Sequence, residues 1–139
     1  MDDGTLLKPT LYRAEGTVDA PTHPALLGGV CANGHVFFPL QRYGCERCGS
    51  VELQPRPLSG VGRLLASARV HLHPGKGREA PFTVGSIQLD GGPIVRTLIA
   101  GDETLLRVRQ RMVTMLAPVS DADGAPWLDL RFVPEGVTP

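Results

Sequence analysis

Short apolar runs broken by glycine and proline dominate the pattern of this chain. Its seventeen glycines and thirteen prolines interrupt the sequence so often that long helices are excluded almost everywhere. The runs that remain have the length and composition of β-strands. They predict five strands in the C-terminal part of the chain, over residues 62–73, 82–89, 94–99, 105–117 and 127–133.

Turn signals separate these five predicted strands. They are Pro-Gly-Lys-Gly at 74–77, Asp-Gly-Gly at 90–92, Gly-Asp at 101–102 and Asp-Ala-Asp-Gly at 121–124. Short strands cannot easily protect exposed edges, and closing the sheet into a barrel removes those edges. Five is the strand number of an OB-fold, so the pattern predicts a mainly β fold with a C-terminal five-stranded OB-fold barrel.

The first thirty residues have scattered leucines and three prolines. This pattern predicts an extended arm with at most a short helix, of a kind that usually needs a partner surface to become ordered.

Charge and composition narrow the classes of function. Fourteen basic and fourteen acidic residues give a formal net charge of zero, so no global field attracts a polyanion. Aromatic residues make up only 5% of the chain, too few for generous base stacking. Both facts argue against a dedicated nucleic-acid binder. No apolar run approaches the length of a membrane span and no signal peptide is evident, so we expect a soluble, cytoplasmic protein.

All three cysteines and one histidine lie between residues 31 and 48. Cys31 and His35 flank an Asn-Gly turn, while Cys45 and Cys48 form a Cys-x-x-Cys-Gly motif. Two turns that each present two donors are typical of a tetrahedral structural zinc site, so Cys31, His35, Cys45 and Cys48 are the candidate ligands. A thioredoxin-like dithiol is the alternative, but no βαβ unit is visible around it. His35 beside an apolar run is either the fourth ligand or a packed ring.

Two basic segments are candidate contacts for the phosphates of a ligand. Lys76 and Arg78 lie in a glycine-rich loop, whose other interpretation is a solvated hairpin tip. Arg107 and Arg109 alternate along a predicted strand with Arg111. Such a row either attracts an anionic ligand or is the solvent-exposed face of an edge strand.

Phe37 and Phe38 are adjacent in an apolar loop. In an extended segment they point to opposite sides. One ring can then pack beneath the cysteine module, the segment around residues 31–48, while the other meets a partner subunit. The alternative is that both rings pack between that module and the barrel.

The chain shows no complete catalytic set. Nucleophilic catalysis by a cysteine needs a thiol that a histidine activates, and every cysteine here lies in the candidate metal site. His71 and His73 share one face of a predicted strand without an obvious carboxylate partner, and His23 lies between prolines.

Several motifs occur in a characteristic order from about residue 28 to residue 134. They are the Cys/His turn, Val-Phe-Phe-Pro, Cys-x-x-Cys-Gly-Ser, Leu-Ser-Gly-x-Gly, Pro-Phe, Leu-Asp-Gly-Gly and Leu-Arg-Phe-x-Pro. This order resembles the acyl-CoA-associated zinc-ribbon/OB-fold family, a family of the domain-of-unknown-function type. The resemblance implies an N-terminal arm over 1–27, a rubredoxin-like zinc ribbon over 28–54 and an OB-fold domain over 55–139.

One position departs from the family pattern. Related ribbons usually carry Cys-x-x-Cys in the first turn, and those cysteines fall on Val30 and Asn33 here, with Cys31 displaced by one position. Either Cys31 and His35 replace the missing pair, or the site is partly degenerate.

The resemblance also implies a function. Family members are usually non-catalytic accessory subunits of acyl-CoA thiolases, including thiolases of bulky esters such as benzoylsuccinyl-CoA. We therefore expect structural zinc, an acyl-CoA ligand of the complex, a thiolase-like partner and a hetero-oligomer, most simply a heterotetramer. The rivals are a subunit of an enoyl-CoA hydratase complex, a nucleic-acid-binding zinc-ribbon OB-fold protein, and a purely structural zinc module.

Overall fold

The computed structural model describes residues 5–70, 82–101, 106–120 and 123–136. These ranges contain nine strands and no helix, so none of their segments is a helix that could cross a membrane. The strands are β1 (Thr5–Leu6), β2 (Leu26–Cys31), β3 (Val36–Phe37), β4 (Leu53–Leu58), β5 (Val61–Val70), β6 (Phe82–Leu89), β7 (Ile94–Ile99), β8 (Arg111–Ser120) and β9 (Pro126–Pro134).

Strands β5 to β9 close into a barrel. The sheet order is β9-β7-β6-β5-β8, and β8 pairs again with β9, which closes the ring. All neighbours are antiparallel except β7 and β9, which are parallel and pair at Ile99 and Phe132. This connectivity is that of an OB-fold, so the predicted fold class is confirmed.

The barrel interior follows the two-residue period of its strands. Along β6 every second residue is buried, and Ile87 and Leu89 are almost completely inaccessible to solvent. They pack with Leu64, Met112 and Phe132 in one apolar core. Burial of this kind is the main stabilising contribution to a small β domain, at roughly 25 cal/mol per Å² of apolar surface.

The predicted strands at 82–89 and 94–99 match β6 and β7, but the predicted start of β8 is wrong. Residues 107–110 form a turn in which the Gln110 side chain accepts a hydrogen bond from Arg107 N at 2.8 Å. Arg109 has a left-handed φ of 72°, and its N–H donates to the carbonyl of Leu64. Arg107 and Arg109 therefore do not form a row with Arg111 along one strand.

The cysteine module contains a second, three-stranded sheet in the order β3-β2-β4. β2 is antiparallel to both neighbours, and its first residue, Leu26, is buried in the barrel core. The sheet is thus joined to the barrel through shared core residues rather than by a free linker.

The described part of the arm, residues 5–27, has no helix, so the short helix that the sequence allowed is not found there. The prolines and turns of this segment interrupt any helix, and the segment instead forms backbone hydrogen bonds with other parts of the same chain. β1 lies parallel to β9, and Leu27 N donates to the carbonyl of Leu11 at 2.9 Å.

A close contact fixes the arm to the barrel at Gly60. The buried Thr114 hydroxyl donates to the carbonyl of Pro24 at 2.7 Å, and Thr114 N donates to the carbonyl of Gly60 at 2.8 Å. A side chain at Gly60 would overlap both Thr114 Oγ1 and the Pro24 carbonyl. Glycine is therefore required here for the arm to lie against the barrel.

Candidate metal centre

The first turn of the cysteine module places Cys31 beside His35. Cys31 is the last residue of β2, and its carbonyl accepts a hydrogen bond from Gly34 N at 2.9 Å, while its N–H donates to the carbonyl of His35 at 3.0 Å. Gly34 has a φ of 85°, in the left-handed region that glycine adopts without strain. The turn thereby brings the Cys31 thiol and the His35 ring to the same side.

The second turn places Cys45 and Cys48 in the same way. Cys45 N donates to the carbonyl of Ser50, and Gly49 N donates to the carbonyl of Cys45, both at 2.8 Å. Gly49 also has a positive φ, of 77°. Arg47 N points at Cys45 Sγ from 3.4 Å, the usual orientation of a backbone amide toward a metal-binding thiolate.

The four predicted ligand atoms converge. All lie within 4.8 Å of one another. Cys31 Sγ is 3.7 Å from Cys48 Sγ, while His35 Nδ1 is 3.5 Å from Cys31 Sγ and 3.4 Å from Cys45 Sγ. Tetrahedral zinc, with Zn–S of about 2.3 Å and Zn–N of about 2.1 Å, places its ligands roughly 3.6 to 3.8 Å apart. The cluster therefore fits a tetrahedral metal ion such as zinc, and His35 is positioned as the fourth donor.

The protein environment favours a thiolate at the exposed end of the cluster. Asn33 Nδ2 donates to Cys48 Sγ at 3.2 Å, and this bond is the main reason that the pKa of the Cys48 thiol falls to about 6. Burial raises the pKa of the Cys45 thiol instead. Asn33 stands where related ribbons carry a cysteine, and here it supports a ligand rather than acting as one.

We expect Asn33→Ala to weaken metal binding without abolishing it. Loss of a hydrogen bond to a ligand typically costs 10- to 100-fold in metal affinity, on the order of 1 to 3 kcal/mol. Competition with a chromophoric zinc chelator measures this change. Asn33→Asp is the size-matched comparison, and an Asn33→Ala affinity equal to that of the parent chain would show that the bond to Cys48 is unimportant.

A second polar cluster lies where the arm crosses the barrel. The Tyr12 hydroxyl donates toward Asp129 Oδ1 and the carbonyl of Leu128, both at 3.0 Å, and accepts from Lys8 N at 3.1 Å. Asp129 is buried and also pairs with Arg131 at 2.9 Å. Sequence reasoning missed this cluster because Tyr12 and Asp129 are 117 positions apart, and neither belongs to a local motif.

Tyr12 makes stability sensitive to alkaline pH. Burial, reinforced by the Asp129 carboxylate, raises the pKa of Tyr12 from 10.0 to about 12. Between these values the unfolded chain loses a proton that the folded chain keeps, so the free energy of unfolding falls as pH rises from about 10 to about 12. Below pH 10 this contribution is fully present.

Urea unfolding of the parent chain and of Tyr12→Phe at pH 8 and pH 11 tests this prediction. At pH 8 the variant should be less stable by about 1 to 3 kcal/mol, because Asp129 and Lys8 N lose their hydrogen-bond partner. The difference between the two proteins should narrow at pH 11. A difference that is constant with pH would contradict the assignment of the alkaline transition to Tyr12.

A cavity of about 250 Å³ lies beside this cluster, between the arm, the start of the cysteine module and the barrel. Its walls are mostly apolar, with exposed cations at the rim. The lining residues are Lys8, Leu11, Tyr12, Leu26, Phe38, Val84, Val95, Arg96, Thr97, Leu98, Asp129 and Leu130.

Comparison with known proteins shows which family this chain belongs to. The family model of the ChsH2 C-terminal OB-fold domain matches residues 55–126. A DUF35 domain-containing scaffold protein of Pyrococcus furiosus is 32% identical over 114 residues, covering 78% of this chain and 82% of the relative. This chain belongs to the DUF35 family. The resemblance inferred from the order of motifs is thereby confirmed.

A solved structure supports the fold of this DUF35 chain. A chain of the Ltp2-ChsH2(DUF35) aldolase aligns with a TM-score of 0.59 at 20% sequence identity, covering 79% of this chain and 84% of that one. At that identity the alignment establishes the shared architecture alone.

The structure describes only one of the two pairs of basic residues that the sequence of this DUF35 chain singles out as phosphate contacts. Arg107 and Arg109 are exposed in the turn before β8, and Lys76 and Arg78 lie outside the described residues. Arg111 is already held by Asp90 through two hydrogen bonds of 3.0 and 2.6 Å. Contact of Arg107, Arg109, Lys76 or Arg78 with coenzyme A stays a prediction.

The two phenylalanines pack within the DUF35 chain. The Phe37 ring covers Gly29, where an added Cβ would lie 2.5 Å from its Cζ, while Phe38 packs against the barrel core. Both rings remain partly exposed. The two rings thus have different neighbours, and a partner contact of either one stays a prediction.

Proposed function

We propose that this chain is a non-catalytic accessory subunit of an acyl-CoA thiolase or related acyltransferase complex. In that role it stabilises the enzyme partner and helps to shape the acyl-CoA site. Two comparisons support an accessory role: the Pyrococcus relative is a scaffold protein, and the ChsH2 structure joins a DUF35 protein to an aldolase. The thiolase itself is suggested by the motif resemblance described above.

The convergence of the three thiols is the observation that carries this proposal. A thiolase attacks its substrate with a cysteine thiolate that a histidine activates. Here Cys31, Cys45 and Cys48 surround one histidine at the spacing of metal ligands, and no other cysteine exists in the sequence. A thiolate bound to zinc is occupied as a ligand, so the reactive thiol comes from the partner.

The proposal assigns roles to the other parts of the chain. Zinc held by Cys31, His35, Cys45 and Cys48 would be structural, because four protein donors fill a tetrahedral ion and leave no position for substrate. The exposed cations Arg107 and Arg109 would be available to the phosphates of coenzyme A. Cysteines that form no disulfide and instead surround a metal site suit a reducing compartment, which supports a cytoplasmic location.

Isolation of the native complex tests the proposal. The chain is tagged at its chromosomal locus, the complex is purified without crosslinking, and native mass spectrometry gives the companion and its stoichiometry. We expect a thiolase-like chain in a heterotetramer with two copies of each subunit. A hot-dog-fold hydratase as companion would select the hydratase alternative, and a chain recovered without any enzyme would overturn the accessory role.

A further inference from the structure

The barrel is incompletely paired between β7 and β9. β7 is hydrogen-bonded to β6 along its whole length, but on its other edge the register joins it to β9 at Ile99 alone. Continued along both strands, this register would place Trp127 and Leu128 of β9 beside residues 94 and 95 of β7. These two residues pair with β1 instead. Over residues 94–97, one edge of β7 therefore has no strand partner within the ranges that the structure describes.

The 250 Å³ cavity runs along this unpaired edge. Four consecutive residues of β7, 95–98, line it. Successive side chains of a strand point to opposite faces, so four consecutive residues reach one cavity only when the backbone edge borders it. Ala100 N donates toward β9 at 3.0 Å, and alternate residues direct their backbone groups to the same edge. The N–H and carbonyl of Arg96 therefore face the cavity.

The lining of the cavity indicates what would cover this edge. Leu11, Phe38 and Val84 form apolar walls, whereas Lys8 and Arg96 are exposed at the opening. Among the described residues, no carboxylate forms an ion pair with either cation, and the nearby Asp129 is already bound by Tyr12 and Arg131. The opening therefore presents positive charge over an apolar floor.

We propose that an extended segment of the enzyme partner adds to β7 as an extra strand at this edge. An extended backbone is the group that pairs with an unpaired strand edge. One large apolar side chain of the segment enters the cavity, and a neighbouring acidic residue meets Lys8 and Arg96. This inference rests on the proposed function, since the segment belongs to the enzyme partner.

The size of the cavity indicates that its occupant is a single side chain rather than a whole acyl-CoA molecule. A buried cavity of about 150 Å³ accepts benzene, whereas pockets for drug-sized ligands span about 300 to 1,000 Å³. The cavity of about 250 Å³ lies between these values and fits one aromatic or long aliphatic side chain.

Residue-resolved hydrogen exchange tests the proposed strand addition. The amide of Arg96 is followed by NMR in the free chain and in the complex with its co-purified enzyme, with the Thr97 amide, which lies on the β6 edge opposite Gly85, as internal reference. We expect Arg96 exchange to slow by at least about tenfold in the complex, while Thr97 is protected in both states.

Two outcomes would overturn strand addition without touching the proposed function. One is an assembled complex in which the Arg96 amide exchanges as it does in the free chain. The other is equal protection of Arg96 when acetyl-CoA alone is added to the free chain, since the edge would then serve a small molecule. Recovery of no enzyme at all is a different observation, and it overturns the proposed function as well.

Two variants of Arg96 distinguish the contribution of backbone pairing to partner binding from the contribution of the positive charge. Arg96→Pro removes an N–H that β6 does not use, so the barrel should persist while the edge loses its donor. Arg96→Glu keeps the donor and reverses the charge. Each should raise the Kd of the complex by at least about tenfold. Arg56→Glu, the same change at an exposed residue of β4, should alter Kd by less than about twofold, and equal effects at both positions would contradict the proposal.

Discussion

Cys48→Ser is expected to release the metal and unfold the tip of the cysteine module. The two turns that hold the ligands have almost no buried apolar side chains beyond Cys31 and Cys45, so the ion provides most of their stability. Structural zinc contributes on the order of 10 kcal/mol in small modules. Zinc measured by atomic emission should fall from about one per chain to near zero.

The loss of structure in Cys48→Ser should be local. Leu26 and Leu58, at the base of β2 and β4, lie in the barrel core, so amide protection should disappear from the turns and persist in the barrel. Glu46→Gln, a change at an exposed acid between the two cysteines, is the control and should keep its zinc. If Cys48→Ser kept its zinc, the assignment of Cys48 as a metal ligand would be wrong.

Phe132→Ala is expected to open the barrel. Phe132 is completely buried, pairs with Thr114 of β8, and forms the single register contact with Ile99 of β7. Truncation of a buried phenylalanine typically costs about 3 to 5 kcal/mol. Because small domains have only about 5 to 15 kcal/mol of stability, a large share of the free energy of unfolding should be lost.

Urea unfolding followed by tryptophan fluorescence measures this loss. Trp127, the single tryptophan, lies in β9 with Phe132 and reports on that strand directly. Phe132→Leu, which keeps most of the buried volume, should cost much less than Phe132→Ala. Equal stability of the alanine variant and the parent chain would contradict the assignment of Phe132 to the centre of the core.

The parts of the fold that the sequence predicted are those with local signals. β6 and β7 have the predicted bounds because the sequence signals Asp-Gly-Gly and Gly-Asp follow them. The metal cluster was predictable for the same reason, since the spacing within each turn sets its geometry. The domain bounds at 27 and 54 stay predictions, although β4 runs across the second of them.

The features that escaped prediction depend on contacts between distant residues. Arg109 adopts a left-handed φ that an arginine does not signal, so the sequence pattern extends the predicted strand through the turn before β8. Tyr12 has no local partner and acquires its role only when β9 folds beneath the arm. β7 has an unpaired edge because β9 pairs with β1 of the arm at that level. No residue type in β7 indicates this in the sequence.

Acyl transfer by the separated and recombined subunits tests the central claim most directly. The purified chain, its companion enzyme and the two together are assayed with a β-oxoacyl-CoA ester that the native complex cleaves. We expect no turnover by the chain alone and higher turnover by the pair than by the companion alone. Turnover by the solitary chain, or a companion whose rate and stability are unchanged by it, would contradict an accessory role.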